Sequence, residues 1–462
     1  VRFLPSSLSF PRVFAGLACT LFPWLLIPSG SIAQSAGEDK VPKNIIVMIG
    51  DGYGYNQLEA GRCYQYGETG RPEYHTFTRF AMSTYPAEEG AGYDPGKAWD
   101  GLEYIRSGAT DSAASATAMA CGVKTLNGSV GKDAEGNDVP NVTETADKAG
   151  RATGVVTSVM FSHATPACFV THAPQRGNTQ QIAERMIVGS SVDVIMGAGH
   201  PLYDASGVLQ ATPDGLQYVG GPVTWDLLQK GEAGGDADGD GEPDRWTLVD
   251  TREGFQRLMS GEAPKRVLGV APTRTTLQLE RPGDPQAPAF AVPFNPNVPT
   301  LSEMAMGAIN VLEEDPQGFL LMIEGGAIDW AGHANLSGRL IEEVIDFNKT
   351  IDSVVEWIES HGGWEENLLV ITADHETGQL TGPGADPEFT PVVCQGKGEM
   401  PGMEWHITKH TNSLVPFHVK GAGSEKFASL ADETDPVRGA YLDNAEMGKA
   451  LMELAGRLPE GK

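Results

Sequence analysis

The chain has 462 residues, 40% of them apolar, and a formal net charge of -28. That length and apolar share suit a globular protein with a large core, either one α/β unit with insertions or two or three domains. The acidity argues against nucleic acid or an anionic membrane as partner, since both reward Lys and Arg; if the chain handles phosphate it needs local positive charge, which bound metal ions supply most densely.

Arg2 and Arg12 precede an apolar run from Val13 to Ile27, followed by Pro28, Ser29, Gly30 and small residues at Ala33 and Ala36. Residues 1–36 therefore read as a secretory signal peptide, with an exported, periplasmic or extracellular location in a bacterial host. The run is broken by Pro23 and is shorter than the ~20 residues a spanning helix needs, and no later stretch is apolar enough to span. Of the five cysteines, Cys19 lies in this segment. Cys63, Cys121, Cys168 and Cys394 remain, and the three pairings open to them are not distinguished by sequence.

Asn44-Ile45-Ile46-Val47-Met48-Ile49 is a continuous β-branched and apolar run of the kind a strand buried on both faces needs, and it stops at Gly50-Asp51-Gly52. Thr110-Asp111-Ser112 then opens the small-residue run Ala113-Ala114-Ser115-Ala116-Thr117-Ala118. Asp and Ser cap helix N-termini, and the free amides behind them make a place for an anion, so Ser112 is expected where a phosphate binds. The strand pattern recurs at Gly154–Val159 before His163-Ala164-Thr165-Pro166, at Val192–Met196 before Gly197, at Phe319–Ile323 before Glu324, and at Leu368–Thr372 before Asp374-His375. Between them lie helical segments: Thr300-Leu301-Ser302-Glu303 is a capping box, and Leu340, Val344, Phe347, Ile351, Val354 and Ile358 repeat at helical spacing until His361-Gly362-Gly363.

This alternation predicts a doubly wound, mostly parallel central sheet with helices on both faces and loop-rich insertions, at about 200–298 and 378–408. In such sheets ligands bind outside the carboxyl ends of the strands, so Asp51, Glu324 and Asp374 should converge on one crevice. Within the first insertion, Asp236, Asp238, Asp240 and Asp244 alternate with the Gly of a sharp turn. The stretch reads equally as a calcium loop and as a solvated acidic loop, and it departs from the EF-hand where Thr247 replaces the final Glu.

Asp329 and His333 are four residues apart and can face one way across a helical turn. Asp374-His375 adds a carboxylate and an imidazole, and His410 adds another imidazole past the second insertion. This nitrogen and oxygen set suits zinc, with enough ligands for two ions once Asp51 is included; Asp51, Glu324 and the Thr165 hydroxyl form an oxygen set suited to magnesium.

At these residues, and in this order, the chain resembles the alkaline phosphatase family. The motifs are Asn44 to Gly52, Thr110 to Ala118, His163 to Pro166 with Arg176, Glu324 to His333, Thr372 to His375, and His410-Thr411, spread from about Lys43 to Gly423. The resemblance implies that residues 37–462 form the catalytic domain and that Ser112 is a zinc-activated nucleophile. It assigns Asp51, Asp374 and His375 to one zinc and Asp329, His333 and His410 to the other. Asp51, Thr165 and Glu324 go to magnesium, and Arg176 grips phosphate with Asp111 orienting it. His163 stands beside the magnesium where the enteric bacterial form has Asp, and Trp330 stands near the phosphate where that form has Lys.

The implied reaction is hydrolysis of small phosphate monoesters to alcohol and inorganic phosphate, through a phosphoserine, at a centre of two zinc ions and one magnesium ion. A homodimer is implied too. The alternatives are a phosphodiesterase on the same sheet and an exported protein that captures phosphate or metal without chemistry. A sulfatase is disfavoured because Ser112-Ala113-Ala114-Ser115-Ala116 lacks the Pro and Arg of that signature.

Overall fold

Seven parallel strands form the middle and one flank of an eleven-stranded sheet. In the computed structural model, which describes residues 40–70, 76–385 and 388–459, the parallel strands run Asn367–Ala373, Asn44–Gly50, Phe319–Gly325, Ala152–Met160, Val194–Ala198, Val267–Val270 and Thr247–Val249. On the other flank Val415–Gly421 lies antiparallel between Asn367–Ala373 and Thr78–Ser83. Gly439–Asp443 and Glu433–Asp435 complete that edge. The architecture is the mixed α/β, mostly parallel sheet flanked by helices that the sequence predicts. The expected signal peptide lies outside the described residues, among which no helix is long and apolar enough to cross a membrane.

The central strands are where the sequence is most apolar. Asn44–Gly50, Phe319–Gly325 and Asn367–Ala373 are buried at every position, as strands covered on both faces must be. Each fully buried Ile, Leu or Val contributes about 1.5–3 kcal/mol, and a charge placed at Val47 would be stranded without a partner.

Helix starts follow their caps. Thr300 accepts from Glu303 N while the Glu303 side chain reaches back to the Thr300 amide, opening Leu301–Leu312 with the expected capping box. The long helix Ser337–Ser360 buries Leu340, Val344, Phe347, Ile351, Val354 and Ile358. All ten residues of Ser112–Cys121 are buried, against the helices Ala164–Val170 and Asn444–Ala455. The approach is so close that a Cβ on Gly448 would lie 2.2 Å from the Ala118 carbonyl oxygen. The small residues of the Ser112 helix therefore permit backbone packing that larger side chains would block.

The Gly-rich segment 200–298 supplies the strands Thr247–Val249 and Val267–Val270 to the sheet. The segment 378–408 is tied to the first helix, Tyr55–Tyr66, by a Cys63–Cys394 disulfide, while Cys121 and Cys168 are free and buried. Of the three possible pairings, this leaves only one bond formed.

Candidate active site

Strand register sets the floor of the site. Gly50 lies opposite both Gly325 and Ala373, and Thr157 opposite Glu324, so Asp51, Glu324 and Asp374 reach one rim of the sheet. The chain can turn there because residue 52 is glycine: its φ is 71°, and a Cβ would lie 2.8 Å from Asp329 Cα. Gly52 N donates to Asp374 Oδ1 at 3.0 Å, which joins two of the strand ends.

Three groups of side chains meet on this rim. In the first, Asp51, Asp374 and His375 bring their ligand atoms within 4.8 Å of one another. Ser112 Oγ lies 3.2 Å from His375 Nε2 and 3.5 Å from Asp51 Oδ1.

The second group gathers around Asp329. His333 Nε2 and His410 Nε2 each lie 3.3 Å from one of its carboxylate oxygens, and 3.0 Å from each other. His410 arrives on the short strand His410–Thr411, which pairs with Glu376–Thr377 and sets His410 opposite Thr377. The Nδ1 atoms of His333 and His410 are 2.8 Å from the carbonyls of Thr408 and Thr110. Protonating Nδ1 for those bonds leaves each Nε2 free as a ligand. The His375 and His410 rings stack at 3.6 Å, so the first two groups adjoin.

Asp51, His163 and Glu324 form the third. Thr165, on the helix Ala164–Val170, is fully buried. Among the described residues, Asp51 Oδ2, Glu324 Oε1, Thr165 Oγ1 and His163 Nδ1 are buried without a hydrogen-bond partner. A buried polar atom left unsatisfied costs about 1–3 kcal/mol. Carboxylate and hydroxyl oxygens with such unmet demand fit a hard divalent cation, and the imidazole and carboxylate sets beside them fit zinc.

Electrostatics point the same way. Burial pushes Asp374 up to about 6 and Glu324 up to about 7. Asp51 is raised well above its ordinary value by burial and then by the Asp374 and Asp329 charges. Asp329 goes the other way: burial opposes ionisation, but the His410 hydrogen bond and the nearby imidazoles outweigh it. Burial drives His375 well below the usual imidazole range and His163 to about 3, so both are neutral and able to ligate. A concentration of buried carboxylates is relieved when cations bind among them.

Asp111 caps the Ser112 helix as expected. Its Oδ1 accepts from Ala114 N at 2.9 Å and Gly128 N at 3.0 Å, and its Oδ2 lies 3.0 Å from Arg176 Nη1. Arg176 Nη2 is 3.2 Å from His163 Nε2, and the Trp330 ring stands edge-on to His163 at 5.9 Å. The start of the Ser112 helix and the guanidinium thus share one carboxylate.

Two hydroxyls that the sequence reading missed complete the surroundings. Thr157 donates to Glu324 Oε2, and Thr377 Oγ1 donates to Asp329 Oδ1 at 2.5 Å while lying 3.3 Å from His375 Nδ1. Their signal was a threonine inside one buried strand, Thr157 in Ala152–Met160, and another shortly past the end of a second, Thr377 after Asn367–Ala373. His406, the nearest histidine to His410 in the chain, instead contacts Thr381 Oγ1 at 2.7 Å. In the acidic loop, Asp236, Asp238 and Asp244 come together, whereas Asp240 turns to accept from Glu242 N. Backbone amides of Gly239 and Gly241 already occupy both oxygens of Asp236.

The alkaline phosphatase family model matches residues 42–400. The chain is 28% identical to the alkaline phosphatase of Escherichia coli (strain K12), over 86% of this chain and 85% of that protein. It is 27% identical to alkaline phosphatase 4 of Bacillus subtilis (strain 168), over 87% and 89%. Among solved structures, a histidine-to-aspartate variant of TAB5 alkaline phosphatase with Mg bound shares the fold, with a TM-score of 0.61 and 24% identity over 90% of this chain and 99% of that one.

Proposed function

The chain belongs to the alkaline phosphatase family, and from that premise we propose that it cleaves phosphate monoesters through a phosphoserine formed on Ser112. It is an enzyme of that family, and hydrolysis of phosphate monoesters is the activity the family supports. The observation that carries the finer reading is the convergence at one hydroxyl: Ser112 Oγ lies 3.2 Å from His375 Nε2, at the start of a helix whose cap also holds Arg176.

Asp51, Asp374 and His375 would hold one zinc, and Asp329, His333 and His410 the other. Asp51, Thr165 and Glu324 would hold magnesium with His163 alongside, in keeping with the Mg named for the TAB5 relative. When bound, these ions supply the positive charge that favours the serine alkoxide and neutralises the phosphoryl group in transfer.

The chain's own groups account for the rest. Ser112 Oγ attacks phosphorus, the ester P–O bond breaks, and the alcohol leaves, with protons exchanged with solvent. Arg176 grips two non-bridging oxygens in fork geometry, and Asp111 fixes the direction of that fork. Free amides at the helix start behind Ser112 face the incoming anion. A water oxygen then attacks phosphorus, the Ser112 Oγ–P bond breaks, and inorganic phosphate leaves.

Residues 37–462 act as one catalytic domain in this reading. Segment 1–36 and the Cys63–Cys394 disulfide support an exported protein.

The test is acid trapping with a labelled phosphate monoester, alongside metal analysis. Wild type should carry label on Ser112, and Ser112→Ala should carry none while retaining its metals. Full turnover by a metal-stripped preparation would overturn the proposal.

A further inference from the structure

The helix Ser337–Ser360 turns its apolar stripe to the core, and its other side carries Glu342, Glu343 and Asp346. Against that side the segment 277–300 folds over a cavity of about 220 Å³. The cavity shares no lining residue with the three metal-ligand groups or with Ser112.

Charge there is unevenly matched. Arg281 and Arg339 both reach Glu342 Oε2, at 2.8 and 3.4 Å, and Phe290 N donates to Glu342 Oε1 at 2.6 Å. Arg252, also on the wall, is engaged by Glu303 at 2.9 Å. Glu343 lines the cavity, is only 6% exposed, and has no hydrogen-bond partner among the described residues. The Asp346 carboxylate accepts one long bond, from Leu301 N at 3.4 Å. Burial raises the Glu343 carboxyl to about 8, with Asp346 and Glu342 adding to the shift, and burial raises Asp346 to about 6. The three arginines are committed to other groups, and Lys349, also on the wall, acts on Asp346 only at a distance, with no ion pair to either acid among the described residues. An arriving cation would therefore find Glu343 uncompensated and Asp346 partly so.

The remaining wall is aromatic. Phe290 and Phe294 are 41% and 43% exposed, with ring centroids 5.8 Å apart. Arg281 already covers Phe294, at 4.5 Å from its centroid, and Tyr64 packs on Phe290 with centroids 5.6 Å apart, so the part of the Phe290 ring that stays exposed is what a ligand cation would meet. The Phe290 backbone has a φ of 64°, a left-handed conformation that a bulky residue keeps only where its surroundings hold it. An aromatic face beside carboxylates is the environment that selects ammonium ions over neutral molecules of the same shape. The space exceeds the ~150 Å³ that accommodates benzene in an engineered apolar cavity, enough for a ring and a short aminoalkyl arm.

We propose that this cavity is a second binding site, for a small organic ammonium ion that pairs with Glu343 and Asp346 and lies against Phe290. It is independent of the reaction at Ser112 and stands or falls separately.

The experiment is calorimetric titration of the metal-loaded full chain with phenylethylammonium chloride, under saturating inorganic phosphate so that the metal centre is closed to the amine. 2-Phenylethanol serves as the uncharged comparison. One saturable site per chain is expected, binding the ammonium at least roughly tenfold more tightly than the alcohol. Glu343→Gln should weaken it by a similar factor without changing phosphatase turnover, and Phe290→Ala should weaken it further. Should Glu343→Gln fail to fold, Asp346→Asn must give the same loss. No saturation by about 10 mM, equal binding of the alcohol, or indifference to the acidic substitutions would each overturn the proposal.

Discussion

Asp111 Oδ2 lies 3.0 Å from Arg176 Nη1, and the same carboxylate, through Oδ1, caps the helix that begins at Ser112. One side chain thereby sets the relative position of the Arg176 guanidinium and Ser112, the proposed phosphate grip and the proposed nucleophile. Asp111→Asn preserves a capping oxygen, since Asn caps helices as well as Asp does, but removes the charge that holds the guanidinium. Phosphate should bind roughly 5- to 10-fold more weakly, the low end for a charge-assisted bond that is partly exposed, while Tm stays near wild type. Asp111→Ala should lose a further ~1 kcal/mol of stability with the cap. Product-inhibition constants and thermal melts distinguish the two effects; a large melt shift in Asp111→Asn would refute the separation.

Thr377 reaches both zinc-type groups, donating to Asp329 and lying beside His375 Nδ1. Partners behind metal ligands typically control affinity by 10- to 100-fold. Thr377→Val, which keeps the shape and deletes the hydroxyl, should weaken zinc retention within about that range in a chelator competition, and Thr377→Ser should restore it. Equal zinc loss from Ser and Val would assign the effect to packing of the methyl group instead.

Metal binding should release protons in amounts set by pH. Glu324, raised to about 7, and Asp374, raised to about 6, are largely or half protonated at pH 6 in the metal-free protein. His410, raised by its bond to Asp329 in spite of burial, adds to the count. Both carboxyls must ionise to ligate, so cations compete with protons below pH 7 and affinity climbs as pH rises through 7. Calorimetry in buffers of different ionisation enthalpy should show at least one proton released per chain at pH 6 and markedly fewer at pH 8.5. Release independent of pH would mean that these carboxyls are already charged without metal.

The parts of the site that end long apolar strands were open to inspection in the sequence. Asp51, Glu324 and Asp374 each follow a run that can only be a buried strand, and the sheet rule then places them together. Asp329 and His333 followed from helical spacing. The flank of the sheet was harder: Thr78–Ser83 mixes Thr, Arg and Ser with its apolar residues, and Val267–Val270 is a short run inside a Gly- and Pro-rich stretch. Local pattern carries little information about such strands, because tertiary pairing decides them. Thr157 and Thr377 act through single hydroxyls with no motif around them, so their value appears only once their partners are seen. The cysteine pairing likewise depended on where segment 378–408 folds back, which no spacing encodes.

The groups that face the candidate metals are strung along the chain from Asp51 to His410, and Asp374, His375 and His410 come last. During biosynthesis the early carboxylates therefore emerge long before the imidazoles that complete their clusters. A nascent chain halted before residue 374 would already hold Asp51, Thr165 and Glu324 but would lack His375 and His410, three strands of the sheet, and the helix Asn444–Ala455 on which the Ser112 helix packs. The oxygen set can therefore form early, whereas the imidazole-bearing groups can close only after the last parallel strand and the segment 378–408 are in place.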